Sequence, residues 1–376
     1  LSFSAPAIDV KGSLLTHVLD TDSVNQAGDI TLTAKATLDD ISSSLIIVPS
    51  QPFDVSTTRA DVQLTGATVL GRDITIDVDS DASDLFGDED SDGGALEPLE
   101  EWLGSISLVA VGLAWSNATA NIGLDGATVQ GRNVSFDALA SADAEKTVLT
   151  VDFAIALGLS LPHATIDITG GSTITTTGDL SLTTNADSDL SIIATQNLIG
   201  TSTTTEKKNV TIAASYSNLL SSASLSASST LDVGNNLTVD VNGTREHNTQ
   251  SNAAAYGDGT LGVALNVAVH DAKLEALIDG TVTTGGNMSV DADLQTLKND
   301  FNATSTVGTG QLGGTLQASR PAFPLRFFTA AFQKVFKTGG NAVAPIQPGT
   351  VSPSKLDVSA ALNVGVGRND VDVRIG

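Results

Sequence analysis

Residues Asp271–Asp293 read DAKLEALIDGTVTTGGNMSVDAD. Leu274, Leu277 and Ile278 close a strand, and Asp279-Gly280 makes a tight turn. Thr281–Thr284 form a short second strand. Gly285-Gly286-Asn287 turns the chain again, and Met288, Val290 and Ala292 then alternate with Ser289, Asp291 and Asp293. Alternation at period 2 marks a half-buried strand. Gly, Asn and Asp supply the backbone angles that tight turns require.

The same phrase recurs at Thr65–Asp79 (TGATVLGRDITIDVD), Asp125–Ala138 (DGATVQGRNVSFDA), Thr169–Thr183 (TGGSTITTTGDLSLT) and Ser229–Val241 (STLDVGNNLTVDV). A degenerate first copy, SVNQAGDITLTAKA, spans Ser23–Ala36. The apolar residue after each second turn is Ile30, Ile74, Val134, Leu180, Leu237 and Met288, at separations of 44, 60, 46, 57 and 51 residues. A repeat of this length points to a solenoid, in which each unit buries its apolar face against the next. The pattern predicts an all-β chain, an elongated parallel β-solenoid of strand-turn units. Strand counting suggests about two rungs per unit, one apolar and one polar-faced. Ala60, Ala120, Ala164 and Ala272 mark corresponding strands.

Composition agrees. Aromatics are only 4%, and hydrophobic residues make up 41% in ordered alternating runs, which disfavours disorder. Small and β-branched residues suit stacking between rungs. Asp and Glu total 43 against 18 Lys and Arg, a formal charge of −25 that repels phosphate backbones and argues against nucleic acid as a partner. No apolar run is long enough to span a membrane as a helix. The chain has no cysteine, which fits a bacterial surface protein better than a small disulfide-stapled secreted domain. It begins without an initiator Met, and its last residues, VDVRIG, match a strand that precedes an Asp-Gly turn elsewhere. The expectation is a segment of a longer repetitive protein.

Four segments are expected: 1–56, an opening segment with the first degenerate repeat; 57–307, the solenoid repeats; 308–354, a helix-containing insertion; and 355–376, the start of the next repeat. Short helical insertions are predicted near 95–103 and 324–337. Long strands such as Ser105–Asp125 and Thr147–Leu161 are apolar on both faces, which predicts cover on both sides.

Repeats of this form, an apolar strand, a Gly turn, a short strand and then G-[GRN]-[DN]-apolar, resemble those of very large bacterial filamentous adhesins, including the leukotoxin-type filamentous adhesin family. LNVAVHDAKLEALIDGTVTTGGNMSVDAD carries the resemblance most fully, and it covers roughly residues 57–376. Ser222–Ser229 departs from it by lacking the Asp-Gly turn. The resemblance implies a secreted, surface-attached, elongated parallel β-structure.

Chemistry-bearing residues are sparse. Asp88, Asp90, Asp92 and Gly93 have D-x-D-x-D-G spacing, which can wrap a hard cation such as Ca²⁺. The twelfth position is Leu99, so Glu97 or Glu100 would have to complete the set; a solvated acidic loop explains the same residues. The four histidines, His17, His163, His247 and His270, are widely spaced, without metal-ligand spacing. His163 and His270 both precede an Ala-marked strand and are expected at one structural position. Asp39-Asp40 is the only adjacent acid pair outside the acidic insertion, with no basic cluster near it. No catalytic residue is predicted. In Pro324–Lys337, Leu325, Phe328, Phe332 and Phe336 form one stripe expected either to cover the side of the solenoid or to dock on a neighbouring subunit, while Phe327 points off it towards another copy or another part of the parent protein; Phe327, Phe328, Phe332 and Phe336 are the candidate interaction residues. The function expected is a non-catalytic structural or adhesive stalk at the bacterial cell surface. A self-assembling subunit of an extracellular filament or sheath is the alternative, and a β-helix enzyme acting on polysaccharide a distant third. Expected partners are other copies or segments of the parent chain, or a host or cell-surface glycan or protein.

Overall fold

The computed structural model describes residues 2–15, 28–37, 53–82, 109–150, 153–196, 208–256, 261–308 and 358–376. The helical insertions expected near 95–103 and 324–337 lie outside these residues. Every element described is a strand, and every pairing is parallel.

In chain order, β1 (Ser2–Ala5) leads into a first coil of β2 (Ala7–Val10), β3 (Ser13–Leu15) and β4 (Ile30–Thr37). The second coil is β5 (Phe53–Thr65), β6 (Thr68–Leu70) and β7 (Asp73–Ala82), and the third is β8 (Val109–Asp125), β9 (Thr128–Gly131) and β10 (Asn133–Thr150). The fourth is β11 (Phe153–Thr169), β12 (Thr173–Thr176) and β13 (Leu180–Gln196), and the fifth is β14 (Lys208–Leu225), β15 (Thr230–Val233) and β16 (Leu237–Tyr256). The sixth is β17 (Leu261–Ile278), β18 (Thr281–Thr284) and β19 (Met288–Gly308), and β20 (Val358–Ile375) follows it. Corresponding strands stack into three sheets. Sheet I is β1-β4-β7-β10-β13-β16-β19, sheet II is β2-β5-β8-β11-β14-β17-β20, and the short sheet III runs from β3 to β18. The architecture is a parallel β-solenoid.

The six apolar residues that define the repeat form one column, Ile30, Ile74, Val134, Leu180, Leu237 and Met288, each in register with the next. One repeat is therefore one coil of three strands, not two rungs. The two long strands of a coil run up to 21 residues, far beyond the usual five or six, so each is as long as two or more ordinary strands.

Both turns follow from their sequences. At the first, Gly66, Gly126 and Gly170 take positive φ (57°, 63° and 63°), where a Cβ would strain the backbone. In the fifth coil, which lacks Gly there, Ser226–Ser229 closes the turn through Ser229 N to Ser226 O (2.9 Å) and paired hydroxyls (2.9 Å). At the second turn the [DN] position builds a ladder along the axis. Arg72 grips Asp29, and Arg132 and Asn133 donate to Asp73. Asp179 N donates to Asn133 Oδ1 (3.2 Å). Asp179 Oδ1 accepts from Asn235 Nδ2 (2.7 Å) and from Asn236 N and Nδ2 (3.1 and 3.0 Å), and Asn287 N donates to Asn236 Oδ1 (3.0 Å). A short side chain with acceptor oxygens is what this position needs, which explains why only Asp and Asn occupy it.

Sheets I and II face each other, and their inward side chains fill the interior. Near sheet III the core is Ile, Leu, Val and Phe136, all buried. A second cluster, with Val148, Leu190, Ile192 and small Ala partners, lies at the far end of the coils. Volume is balanced across the two sheets: a Cβ on Gly158 would sit 2.1 Å from Ile192 Cδ1, and one on Gly243 would sit 2.9 Å from Leu219. Ala60, Ala120 and Ala164 share a column, whereas Ala272 pairs with Leu219, two residues out of step.

Candidate functional site

The outward face of sheet I is a wall of hydroxyls, carboxamides and carboxylates. One column reads Thr33, Asp77, Asp137, Thr183, Asp240, Asp291. Like charges on adjacent strands are unfavourable. Partial burial, then the charge of Asp79, raises the pKa of Asp77 against the opposing pull of Lys35. Burial and the charges of Asp77 and Asp79 raise that of Asp137, and burial and Asp291 raise that of Asp240. Lys35 Nζ pairs with Asp79 at 2.7 Å. The wall has a shallow depression lined by Asp77, Asp79, Asp137, Asn185, Asn242 and Asp293. Among the described residues, no group of three or more His, Cys, Asp or Glu is arranged to hold a metal ion.

Between the two apolar clusters runs a seam of buried hydroxyls. Ser80 donates to Thr58 (2.9 Å), Ser160 lies 2.8 Å from Ser188, and Ser188 lies 2.9 Å from Ser217. In the fifth coil the seam widens. Leu190, Ile192 and Ala194 of β13 give way in register to His247, Thr249 and Ser251 of β16. His247 (1% exposed) and His270 (6%) meet edge to face across the two sheets, ring centroids 5.5 Å apart, and Phe301 stacks on His270 at 5.8 Å. Gly367 makes room for the ring, since a Cβ there would lie 2.2 Å from His270 Nε2. Arg245, 3% exposed, donates to Asn369 Oδ1 (3.1 Å) and Thr296 Oγ1 (3.0 Å) and makes no salt bridge among the described residues. Burial, the neighbouring His270 and the Arg245 charge push His247 down to about 3. Burial and Arg245 push His270 to about 4, against a small opposing pull from Asp271. Both rings are therefore neutral at pH 7.

Sheet II differs on its outward side. Alternate residues from Val111 to Trp115, Phe153 to Leu161, Val210 to Tyr216, Val263 to Val269 and Leu362 to Val366 are aliphatic or aromatic, and none is fully buried. Trp115 is 40% exposed and Val55, in register with it, 61%. The cover expected on both faces is thus found on the inner face alone among the described residues.

Asp88, Asp90, Asp92, Glu97 and Glu100 lie outside the described residues, as do Phe327, Phe328, Phe332, Phe336, His17 and the Asp39-Asp40 pair. His163 and His270 do not share a position. His163 is half-buried on the outward side and pairs with Leu220, while His270 points inward and pairs with Ser217. The meeting of His247 and His270 was the feature that sequence spacing missed. A signal existed: counting in steps of two from Val239 and Val241 places His247 inside, and counting back from Leu274 does the same for His270.

Comparison with family models, curated proteins and solved structures finds no match to this chain. The function is therefore argued from geometry and residue chemistry.

Proposed function

We propose that this chain is a non-catalytic structural segment of a large bacterial cell-surface protein, a β-solenoid stalk working outside the cell. In this reading adhesive contacts are made with other copies or segments of the parent chain, or with a host or cell-surface glycan or protein. One observation carries it: among the described residues parallel pairing runs from strand to strand through all three sheets, with a gap at Leu161/Pro162 in the β11–β14 pair and a register shift at Arg245/Glu246 in the β16–β19 pair. A stack of this kind transmits load along its axis, because each coil is held to the next by parallel strand pairing, over 16 or more residues of each long strand pair from the third to the sixth coil except in β11–β14, which pairs over 14. The Asp/Asn ladder and the hydroxyl seam run along the same axis and add polar ties between coils. The likeness of the repeat phrase to filamentous adhesins supports the same reading.

Stretching single molecules held at both ends tests it. The expected result is stepwise release, coil by coil. Each coil of about 50 residues frees roughly 180 Å of chain at ~3.5 Å per residue. Collapse in one low-force event would contradict a load-bearing role, and release of sugar products from polysaccharide by the purified chain would contradict a non-catalytic one.

A further inference from the structure

The outward face of sheet II is the largest feature that the stalk reading leaves unused. Its bordering column is Trp115, Leu159, Tyr216, Val269 and Val366, on five adjacent strands. On one side the next two columns, through Leu362 in β20, contain only aliphatic residues; on the other side lie Asn117, Leu161, Asn218, Asp271 and Arg368, where the apolar surface ends. No described sheet lies on this face. An uninterrupted apolar patch of this extent is unusual on a protein that stays monomeric.

We infer that this face is the interface between two copies of the chain, packed sheet on sheet about a two-fold axis. Phe153–Leu159 spans about 20 Å at ~3.3 Å per residue, and five strands span about 24 Å at ~4.8 Å each. The patch thus offers roughly 500 Å² per copy, or about 1,000 Å² for a pair, which reaches the lower bound for a biological interface. Parallel sheets of equal twist pack aligned, with side-chain columns interleaving at about 10 Å. An isologous pairing needs one self-complementary surface, and a face of apolar columns offers that. Where the apolar columns end, Asp271, Lys273, Arg368 and Asp370 place both signs of charge on the rim. A second copy can therefore find opposite charges there. Sheet I cannot serve, since its stacked carboxylates repel a copy of themselves. The inference is independent of the stalk reading: a dimer with no mechanical strength would keep the interface and sink the stalk.

Sedimentation of the 376-residue chain tests it. Ile212 and Leu265 are register neighbours pointing outward from β14 and β17. The wild-type chain is expected to dimerise, and I212K/L265K to weaken association at least ~100-fold, as for buried interface anchors. The double variant should keep its β-type circular dichroism and melting temperature, because both side chains point away from the core. Asn242→Lys, on the opposite wall, adds positive charge elsewhere and should leave the dimer intact. Four results would overturn the inference: a wild-type chain monomeric up to roughly 100 µM, a Kd too weak for a specific pair; an undiminished dimer in I212K/L265K; flotation of monomer with phosphatidylcholine–phosphatidylglycerol vesicles; or cross-links showing the chain's own residues 309–357 on this face.

Discussion

Lowering the pH from 7 to 5 offers protons to two histidines that the folded chain refuses. His247 and His270 are held at about 3 and about 4 by burial and by Arg245. In the unfolded chain both return to about 6.5. The unfolded state therefore binds more protons below pH 6.5, so stability is full above that value. It is lost as pH falls towards the folded pKa values. At pH 5 each unfolded ring gains about 2 kcal/mol, so the two together cost about 4 kcal/mol of local stability. The carboxylates with raised pKa, Asp77, Asp137, Asp187, Asp189 and Asp240, act in the opposite sense, gaining stability as pH falls through their folded values. A comparison with variants removes that background. Leu190 occupies the position in β13 that His247 holds in β16, and Ser217 the position in β14 that His270 holds in β17. H247L and H270S therefore borrow residues the fold already accepts there. Native-state hydrogen exchange of β16 and β17 amides, corrected for intrinsic rates, reads the local opening free energy. Wild type should lose about 4 kcal/mol more than H247L/H270S between pH 7 and 5, and each single variant about half of that. Equal pH dependence in wild type and double variant would refute the account of the buried pair.

Other substitutions probe the packing and the turns. Gly158→Ala forces a Cβ into Ile192 and should cost about 1–3 kcal/mol in urea unfolding; adding Ile192→Ala should return part of it, a coupling of about 1 kcal/mol or more. Asp179→Ala removes the acceptor shared by three donors and should cost about 1–2 kcal/mol, with Asp179→Asn costing less, because one acceptor oxygen remains. If Asp88, Asp90 and Asp92 hold calcium with Glu97 or Glu100, calcium at ten times its Kd adds about 1.4 kcal/mol. Chelator then lowers the melting temperature of wild type but not of Asp90→Ala, and no calcium-dependent shift leaves a solvated acidic segment.

What was legible in the sequence follows from local physics. The register column from Ile30 to Met288 could be read because each of its residues follows a turn of fixed chemistry, and turn chemistry is local. Coil closure is not. In β8 the outward residues change from Val111, Leu113 and Trp115 to Asn117, Thr119 and Asn121 within one strand. That change of polarity resembles a boundary between strands, which is why one coil reads as two rungs. Ala272 sits two residues away from the Ala60 column because Leu274 takes the larger core site opposite Ser221. The polar interior of the fifth coil was hidden for a different reason. His, Thr and Ser at alternate positions look like a solvated face, and only the phase of Val239 and Val241 shows that they point inward. The acidic and Phe-rich segments interrupt the repeat, so periodicity says nothing about their placement.

The central claim is that each repeat is a single coil in one continuous stack. Because the chain has no cysteine, spin labels can be placed singly. Thr33, Asp77, Asp137, Thr183, Asp240 and Asp291 point outward from successive strands of sheet I. Dipolar electron spin resonance on chains labelled at Thr33 and at each of Thr183, Asp240 and Asp291 measures the stack directly. The separations should lie near 14, 19 and 24 Å, increasing by about 4.8 Å per repeat. Increments near 10 Å would mean two rungs per repeat, and separations without a regular increment would mean that the chain is not a single stack.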